Sequence, residues 1–482
     1  MKRGMSQEAV FWVALAAISL FGAIFRLANL SALPAGVYLD EAANLMDGLQ
    51  NAGEFPFALF YSDVYERGLT QEGLFTNLQI LAVQVLGPSV AALRLPAALA
   101  GTVAIVGIGW MAREALQSRA GGLVAAALVA SAYWPLNFSR IAFSAALLPA
   151  VLAPATAALL VAVRRRSVGW SAVSGALFAL TLYTYAASRV VPVFLAVVGV
   201  FLVLSKWPFN SHRKFQVITF FTTFVAAASP FVVGLLRSPG ALTRRAQSVS
   251  IQWTGDVPTF LGEVMENLGF ALGKHLFFAD PNYRHGFPPF PVLDYATGVF
   301  FVGGTLLCVC TLLSRRHALI YPSMRVDRVL GGVILLSGLL VFLIPEVLSN
   351  DSNPHALRSI GTMPYVFALA AWGLLALARS IERLSSRVMT RMVMGLVLAA
   401  IVAANVTQYF VLFARSESAQ EAFGTSLTSF AESVAMSACS EVEIQGVPRP
   451  EQAVVDFFLI DSSVKVSFSS AESPTRAVRC LD

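Results

Sequence analysis

Apolar stretches of about 20 residues, each enough for a helix to cross about 30 Å of hydrocarbon, recur along this sequence and dictate most of what it can fold into. They cover approximately residues 9–26, 95–111, 120–138, 142–163, 168–185, 190–204, 215–236, 295–313, 329–347, 363–378 and 392–413. That makes about eleven spans, and the expected fold is a polytopic α-helical membrane protein. The charged share supports this: 13% of the 482 residues, against roughly 25% in a soluble domain. Residues 74–86 are apolar but short, and read as an interfacial or half-inserted helix. The first run follows Met1-Lys2-Arg3 as a signal peptide would. No clear small-residue cleavage site precedes Asn29-Leu30-Ser31, so it reads as a retained anchor.

Basic residues in short connections mark the cytoplasmic side. With the N-terminus inside, the inner connections hold Arg113 and Arg119, the run Arg164-Arg165-Arg166, and Arg379, Arg383, Arg387 and Arg391. Counting 74–86 as a full span would turn the triple arginine outward, which keeps the count at eleven. The net charge of +6 then belongs to a face next to anionic lipid and needs no nucleic acid. Cys308 and Cys310 fall inside a span. Cys439 and Cys480 both fall in the outward tail, where they could pair if that compartment is oxidising.

Three polar segments face outward in this topology. The first loop, 27–90 with its interfacial helices, carries Asp40, Glu41, Asp47, Glu54, Asp63, Glu66 and Glu72 against Arg67 alone before residue 74. The second, 237–294, holds Arg244, Arg245, Lys274, His275, Arg284 and His285 and a proline-rich stretch at 287–291. Opposed charge on the two loops suggests a shared cleft. The third, 414–482, reads as a small α/β domain with helices at 418–437 and 450–458 and strands at 441–445 and 464–469, after a membrane domain of residues 1–413.

Three arginines stand alone in short outer turns: Arg140, Arg189 and Arg358. Such positions disfavour positive charge, so each asks for an anion, and a lipid phosphate would supply one through two parallel hydrogen bonds; the alternative is snorkelling to headgroups. Asp40 and Glu41 are adjacent, so in a helix they point about 100° apart and cannot both serve one atom. One division makes Asp40 a general base and Glu41 a supporting or helix-capping carboxylate; the plainer reading is a pair matched to a helix dipole. Tyr38, Tyr183 and Tyr185 either line a ligand path or belong to an interfacial aromatic belt. His275, His285 and His355 lack the HxxxH or HExxH spacing of a zinc site, which argues against a metal. Neither a P-loop, nor GxSxG, nor CxxC is present.

Taken together, Leu33-Pro34-Ala35-Gly36-Val37-Tyr38-Leu39-Asp40-Glu41-Ala42, Gln71-Glu72-Gly73-Leu74-Phe75, Ala92-Leu93-Arg94-Leu95-Pro96, Tyr183-Thr184-Tyr185 with Arg189, Asp280-Pro281-Asn282-Tyr283-Arg284-His285 and Pro354-His355-Ala356-Leu357-Arg358 resemble bacterial glycosyltransferases of the GT-C superfamily, family 39-like. These are relatives of protein O-mannosyltransferases and of the lipid A aminoarabinose transferase. The resemblance implies an enzyme of the bacterial inner membrane with its active site on the periplasmic face under the first loop, using a polyprenyl-phosphate sugar donor and a lipid, glycan or protein acceptor. It implies catalytic roles for Asp40 and Glu41, with Asp40 as the base. It places substrate contacts at Tyr38, Glu72, Arg140, Tyr183, Tyr185, Arg189, Arg284, His285, His355 and Arg358, and leaves a divalent metal open. Two departures stand out: Gln71-Glu72-Gly73 replaces the Glu-Lys-Pro-Pro element of the aminoarabinose transferases, and the turn with Arg140 lacks the acidic residue of some relatives. A polysaccharide polymerase or ligase is the nearest rival. A lipid-linked-sugar transporter would place ionisable groups at mid-membrane, whereas these lie at the boundary.

Overall fold

A computed structural model of the chain describes residues 6–51, 58–68, 71–205, 210–237, 250–253, 255–314, 326–351, 353–469 and 476–481. Arg244 and Arg245 lie outside the described residues. Among those described, nine helices are long and apolar enough to cross a membrane. They coincide with nine of the eleven expected runs. The other two runs form shorter helices. Residues 120–138 divide into α5 (Arg119–Ser131) and α6 (Tyr133–Phe138), separated by the extended Ala132. Asn405 fixes that break, since its Oδ1 accepts from the Tyr133 backbone N–H at 2.8 Å. The run from 168 ends at Thr181 as α8 (Val168–Thr181).

The N-terminal half runs α1 (Gln7–Leu27), α2 (Leu39–Asn51), strands β1 (Phe60–Tyr61) and β2 (Gln71–Glu72), α3 (Gly73–Leu86), α4 (Val90–Leu116), α5, α6, α7 (Leu147–Arg165), α8, α9 (Val191–Leu204) and α10 (Ser211–Arg237). As expected, α3 is a short helix, of 14 residues. α4 and α7 form the centre, each enclosed over most of its length, while α1, α9 and α10 keep apolar faces outward. A membrane interior gives apolar helices no hydrophobic reason to associate, so close contact rests on small residues. Gly304 of the 295–314 helix meets the Leu369 carbonyl, and Gly373 of the 363–384 helix meets that of Phe300. A Cβ on either glycine would collide with the facing backbone.

The C-terminal segment forms a three-stranded sheet in the order β4-β3-β5 (Lys465–Ser469, Glu441–Gln445, Ala477–Cys480). β3 and β4 are parallel with Val442 opposite Val466 and Ile444 opposite Phe468; the helix Arg449–Phe458 supplies the crossover that parallel strands need. β5 was not anticipated; it pairs antiparallel to β3, and Cys439 and Cys480 are joined by a disulfide. The helix expected over 418–437 divides into Glu417–Ala422 and Thr425–Ala435 at Gly424, whose φ of +69° suits glycine.

This unit is docked on the first loop. Gly36 (φ +78°) sits where a Cβ would press on the Phe423 carbonyl and the Thr425 backbone. The Val37 N–H donates to Thr428 Oγ1 at 2.8 Å. Tyr65 donates to Asp456 Oδ2 at 2.6 Å, with Arg449 over its ring at 5.1 Å.

Candidate active site

The acidic pair opens α2, and the two side chains diverge as adjacency in a helix requires. Glu41 is fully buried. Its carboxylate takes Arg94 Nε at 2.9 Å and Nη2 at 3.0 Å, and the backbone N–H groups of Ala142 at 2.8 Å and Tyr38 at 3.1 Å. Arg94, also buried, donates further to the carbonyls of Pro34 at 2.8 Å and Gly36 at 2.6 Å. Every strong acceptor direction of Glu41 is thus taken, and it holds the first loop onto α4. Asp40 keeps about 30% of its side chain exposed and has Arg67 Nη1 at 3.1 Å. Arg67 gathers the loop's acids: it reaches Asn44 Oδ1 at 2.9 Å, Asp47, and Asp63 at 3.5 Å. Burial raises the Asp47 carboxyl above its ordinary range despite that cation.

Of the three boundary arginines, one is corrected. Arg140 is fully buried and spends its guanidinium on the carbonyls of Phe25 at 2.6 Å, Arg26 at 3.1 Å, Asn29 at 3.1 Å and Leu33 at 2.8 Å. Those are orphan acceptors at the end of α1 and beyond it, so Arg140 caps a helix C-terminus, with both Nη groups engaged by carbonyls. Arg189 remains about 27% exposed and pairs with Glu72 at 3.0 Å, uniting two anticipated residues. Arg358 donates to Asp351 Oδ2 at 2.6 Å. The turn bearing Arg189 packs on the 360–362 turn next to Arg358. From Pro192, three residues beyond Arg189, an apolar groove of about 530 Å³ runs between α9 and α10, lined among others by Leu195, Gly199, Val203 and Phe221.

Tyr183 is also corrected: its hydroxyl donates to the Ala227 carbonyl at 2.7 Å and accepts the Phe231 N–H at 3.1 Å, tying α8 to α10 beside Pro230. Tyr185 is partly buried against the main core. Tyr38 lies under the Arg284 guanidinium, 4.1 Å from its ring centre, and burial raises its phenol above the ordinary value. From Tyr38 a chain of ring contacts passes through Phe143 to His285, which stacks on His355 at 4.6 Å. First loop and second loop therefore meet, as their opposed charges suggested, and His355, from the loop after the helix Val326–Val347, joins them.

His275 stands apart, wedged between Trp134 and Phe301 with Nδ1 on the Leu272 carbonyl. Asp280, His285 and His355, by contrast, are buried together, with one ligand atom from each lying within 4.8 Å of the others. Burial pushes the Asp280 carboxyl up to about 6, even though the backbone N–H groups of Ala356 and Asn282 donate to it. The sequence reading missed this grouping because His355 comes from a different loop, 70 residues beyond His285. It also missed Lys274 and Glu346, an entirely buried pair. Lys274 also donates to Ser359 Oγ at 2.7 Å, and Glu346 accepts the His355 N–H at 2.8 Å. One signal was available: an ionisable residue inside an apolar run needs a partner, and Glu346 occupies such a run while Arg94 directly precedes one.

Residues 74–233 match the model of a family described as dolichyl-phosphate-mannose-protein mannosyltransferase. No curated protein matches the sequence. Among solved structures the chain is similar to ArnT from Cupriavidus metallidurans in the apo state, with a TM-score of 0.58 and 13% identity over 97% of this chain and 87% of that one. The same protein bound to undecaprenyl phosphate gives a TM-score of 0.55 at 14% identity, covering 95% and 86%. The archaeal oligosaccharyltransferase AglB from Archaeoglobus fulgidus, in complex with an inhibitory peptide and a dolichol-phosphate, gives 0.54 at 14% identity. That match covers 89% of this chain, which spans only 58% of the archaeal protein. At such identities the likeness is one of fold.

Proposed function

We propose that this chain is a membrane glycosyltransferase, a reading supported by the match of residues 74–233 to the dolichyl-phosphate-mannose-protein mannosyltransferase family, and that it moves a sugar from a polyprenyl-phosphate donor to a lipid, glycan or protein acceptor at the outward membrane face, with inversion. The observation that carries the reading is the divergence of the acidic pair: Glu41 is saturated by Arg94 and two backbone amides, while Asp40 stays partly open beside one arginine. Asp40 takes the proton of the acceptor nucleophile as that atom attacks the anomeric carbon. The donor's carbon–oxygen bond breaks, and the polyprenyl phosphate departs with the electron pair.

A glycosidase needs a second carboxyl to protonate its leaving group. A phosphate leaves as a stabilised anion, so a positive cradle takes the place of that acid. Arg189 and Arg358 form the cradle, and the groove from Pro192 takes the prenyl chain. Undecaprenyl phosphate in ArnT and dolichol-phosphate in AglB support a donor of this class.

The disulfide supports the outward assignment. Cys439–Cys480 belongs to the unit that docks on the first loop, so loop and disulfide share a face, and disulfides persist in oxidising compartments such as the periplasm. On this reading residues 1–413 hold the catalytic machinery and residues 414–482 clamp its first loop.

The test is Asp40→Asn in purified, lipid-reconstituted protein with radiolabelled polyprenyl-phosphate sugars. Transfer is expected to fall by at least about 100-fold, the lower range of general-base contributions, with donor binding retained. Turnover like the parent's would remove Asp40 as the base.

A further inference from the structure

We propose that Asp280, His285 and His355 form a binding site for one divalent transition metal of the zinc class. Asp280 and His285 flank the 281–284 turn of the second outer loop, and His355 lies in the loop that follows the helix Val326–Val347. All three are buried and bring one ligand atom each within 4.8 Å of one another. His285 Nδ1 and His355 Nδ1 are both buried nitrogens without a hydrogen-bond partner, on residues only 6% and 4% exposed. His285 Nδ1 stands 3.9 Å from Asp280 Oδ2. One unsatisfied buried nitrogen costs about 1–3 kcal/mol. Two of them beside an anchored carboxylate are what a metal site offers.

The surroundings match such a site. Asp280 is fixed by backbone N–H groups, Asn282 on Oδ1 at 2.9 Å and Ala356 on Oδ2 at 2.7 Å. His355 turns its other nitrogen, Nε2, toward Asp351 Oδ2 at 3.6 Å, and Arg358 holds that carboxylate at 2.6 Å. A carboxylate behind the far nitrogen is the usual support of a metal-ligating histidine, fixing its tautomer. Simple ring stacking of His285 between Phe138 and His355 explains the orientation of the rings but leaves both Nδ1 atoms without a hydrogen bond. Two imidazoles and one carboxylate suit zinc and its neighbours; calcium and magnesium prefer all-oxygen sites. Metal–ligand bonds of about 2.0–2.2 Å require the three atoms to close in by roughly 1 Å. Three protein ligands leave a fourth position open. The bound ion would lock the loop of Arg284 to the loop of Arg358, and only its effect on donor phosphate rests on the sugar-transfer reading.

The test uses the full chain in detergent, stripped with dipicolinate and dialysed against Zn²⁺ or Co²⁺. About one metal per chain is expected by mass spectrometry, with cobalt showing visible d–d absorption. His285→Ala and His355→Ala should lose at least tenfold in affinity, Asp351→Asn about 10–100-fold, and the exposed control His212→Asn nothing. Should an alanine variant fail gel filtration, His285→Gln and Asp280→Asn give the same reading. Less than about a tenth of an equivalent in the parent, or equal metal in the His285→Ala/His355→Ala double variant, would overturn the site. Donor turnover is read separately on the same samples, so loss of the sugar-transfer reading leaves the metal result standing, and the reverse.

Discussion

At the scale of the residue, Asp40 and Glu41 share a sequence position in all but one step and have opposite fates. Removing one partner of a buried pair leaves an uncompensated charge, typically costing about 3–5 kcal/mol. Arg94→Ala is therefore expected to lower the midpoint of thermal unfolding in detergent by several degrees, and Glu41→Gln by less, since the amide keeps some of the hydrogen bonds. A Glu41→Gln protein with parental stability and no turnover would instead make Glu41 a participant in chemistry. Arg189→Ala should weaken donor binding about tenfold or more, read by displacement of labelled polyprenyl phosphate, because a charge-assisted hydrogen bond contributes about 1.5–3 kcal/mol. Unchanged affinity would take Arg189 out of the cradle. The acidic pair and Arg189 were legible from their types and from their place at the water boundary. The role of Arg140 was not, because a boundary arginine facing carbonyls and one facing phosphate have the same local sequence. Partners such as Arg94 for Glu41, 53 residues away, can be read only once helices are packed.

At the scale of the element, hydrocarbon thickness made the spans legible: nine apolar runs became nine long helices. The break at Ala132 was hidden because its cause, Asn405, lies 272 residues from Tyr133. In the C-terminal unit the strands β3 and β4 were visible from alternation. β5, with no buried residue in it, carries no apolar pattern to find. Its attachment rests on the β3 ladder and the Cys439–Cys480 bond. Cys480→Ser should accordingly increase amide hydrogen exchange in β5 and at Val442–Ile444 while leaving the α4 and α7 cores unchanged. Equal protection with and without the bond would show that the ladder alone holds the edge.

At the scale of the whole molecule, topology and site location depend on each other. An exposed cysteine introduced at Asp461 should react with a membrane-impermeant maleimide in intact cells, and one at Leu384, at the opposite end of its helix from the 360–362 turn, should react only after permeabilisation. The reverse pattern would invert the molecule and remove the outward site. The docking of the last unit on the first loop bears on synthesis as well. Val37 meets Thr428, and Tyr65 meets Asp456, each across 391 residues. At about 5–20 residues per second, the acidic loop leaves the ribosome on the order of 20 to 80 s before its clamp exists. During that interval the loop lacks the two hydrogen bonds it makes to that unit, so its docked arrangement can form only after the last unit has been made.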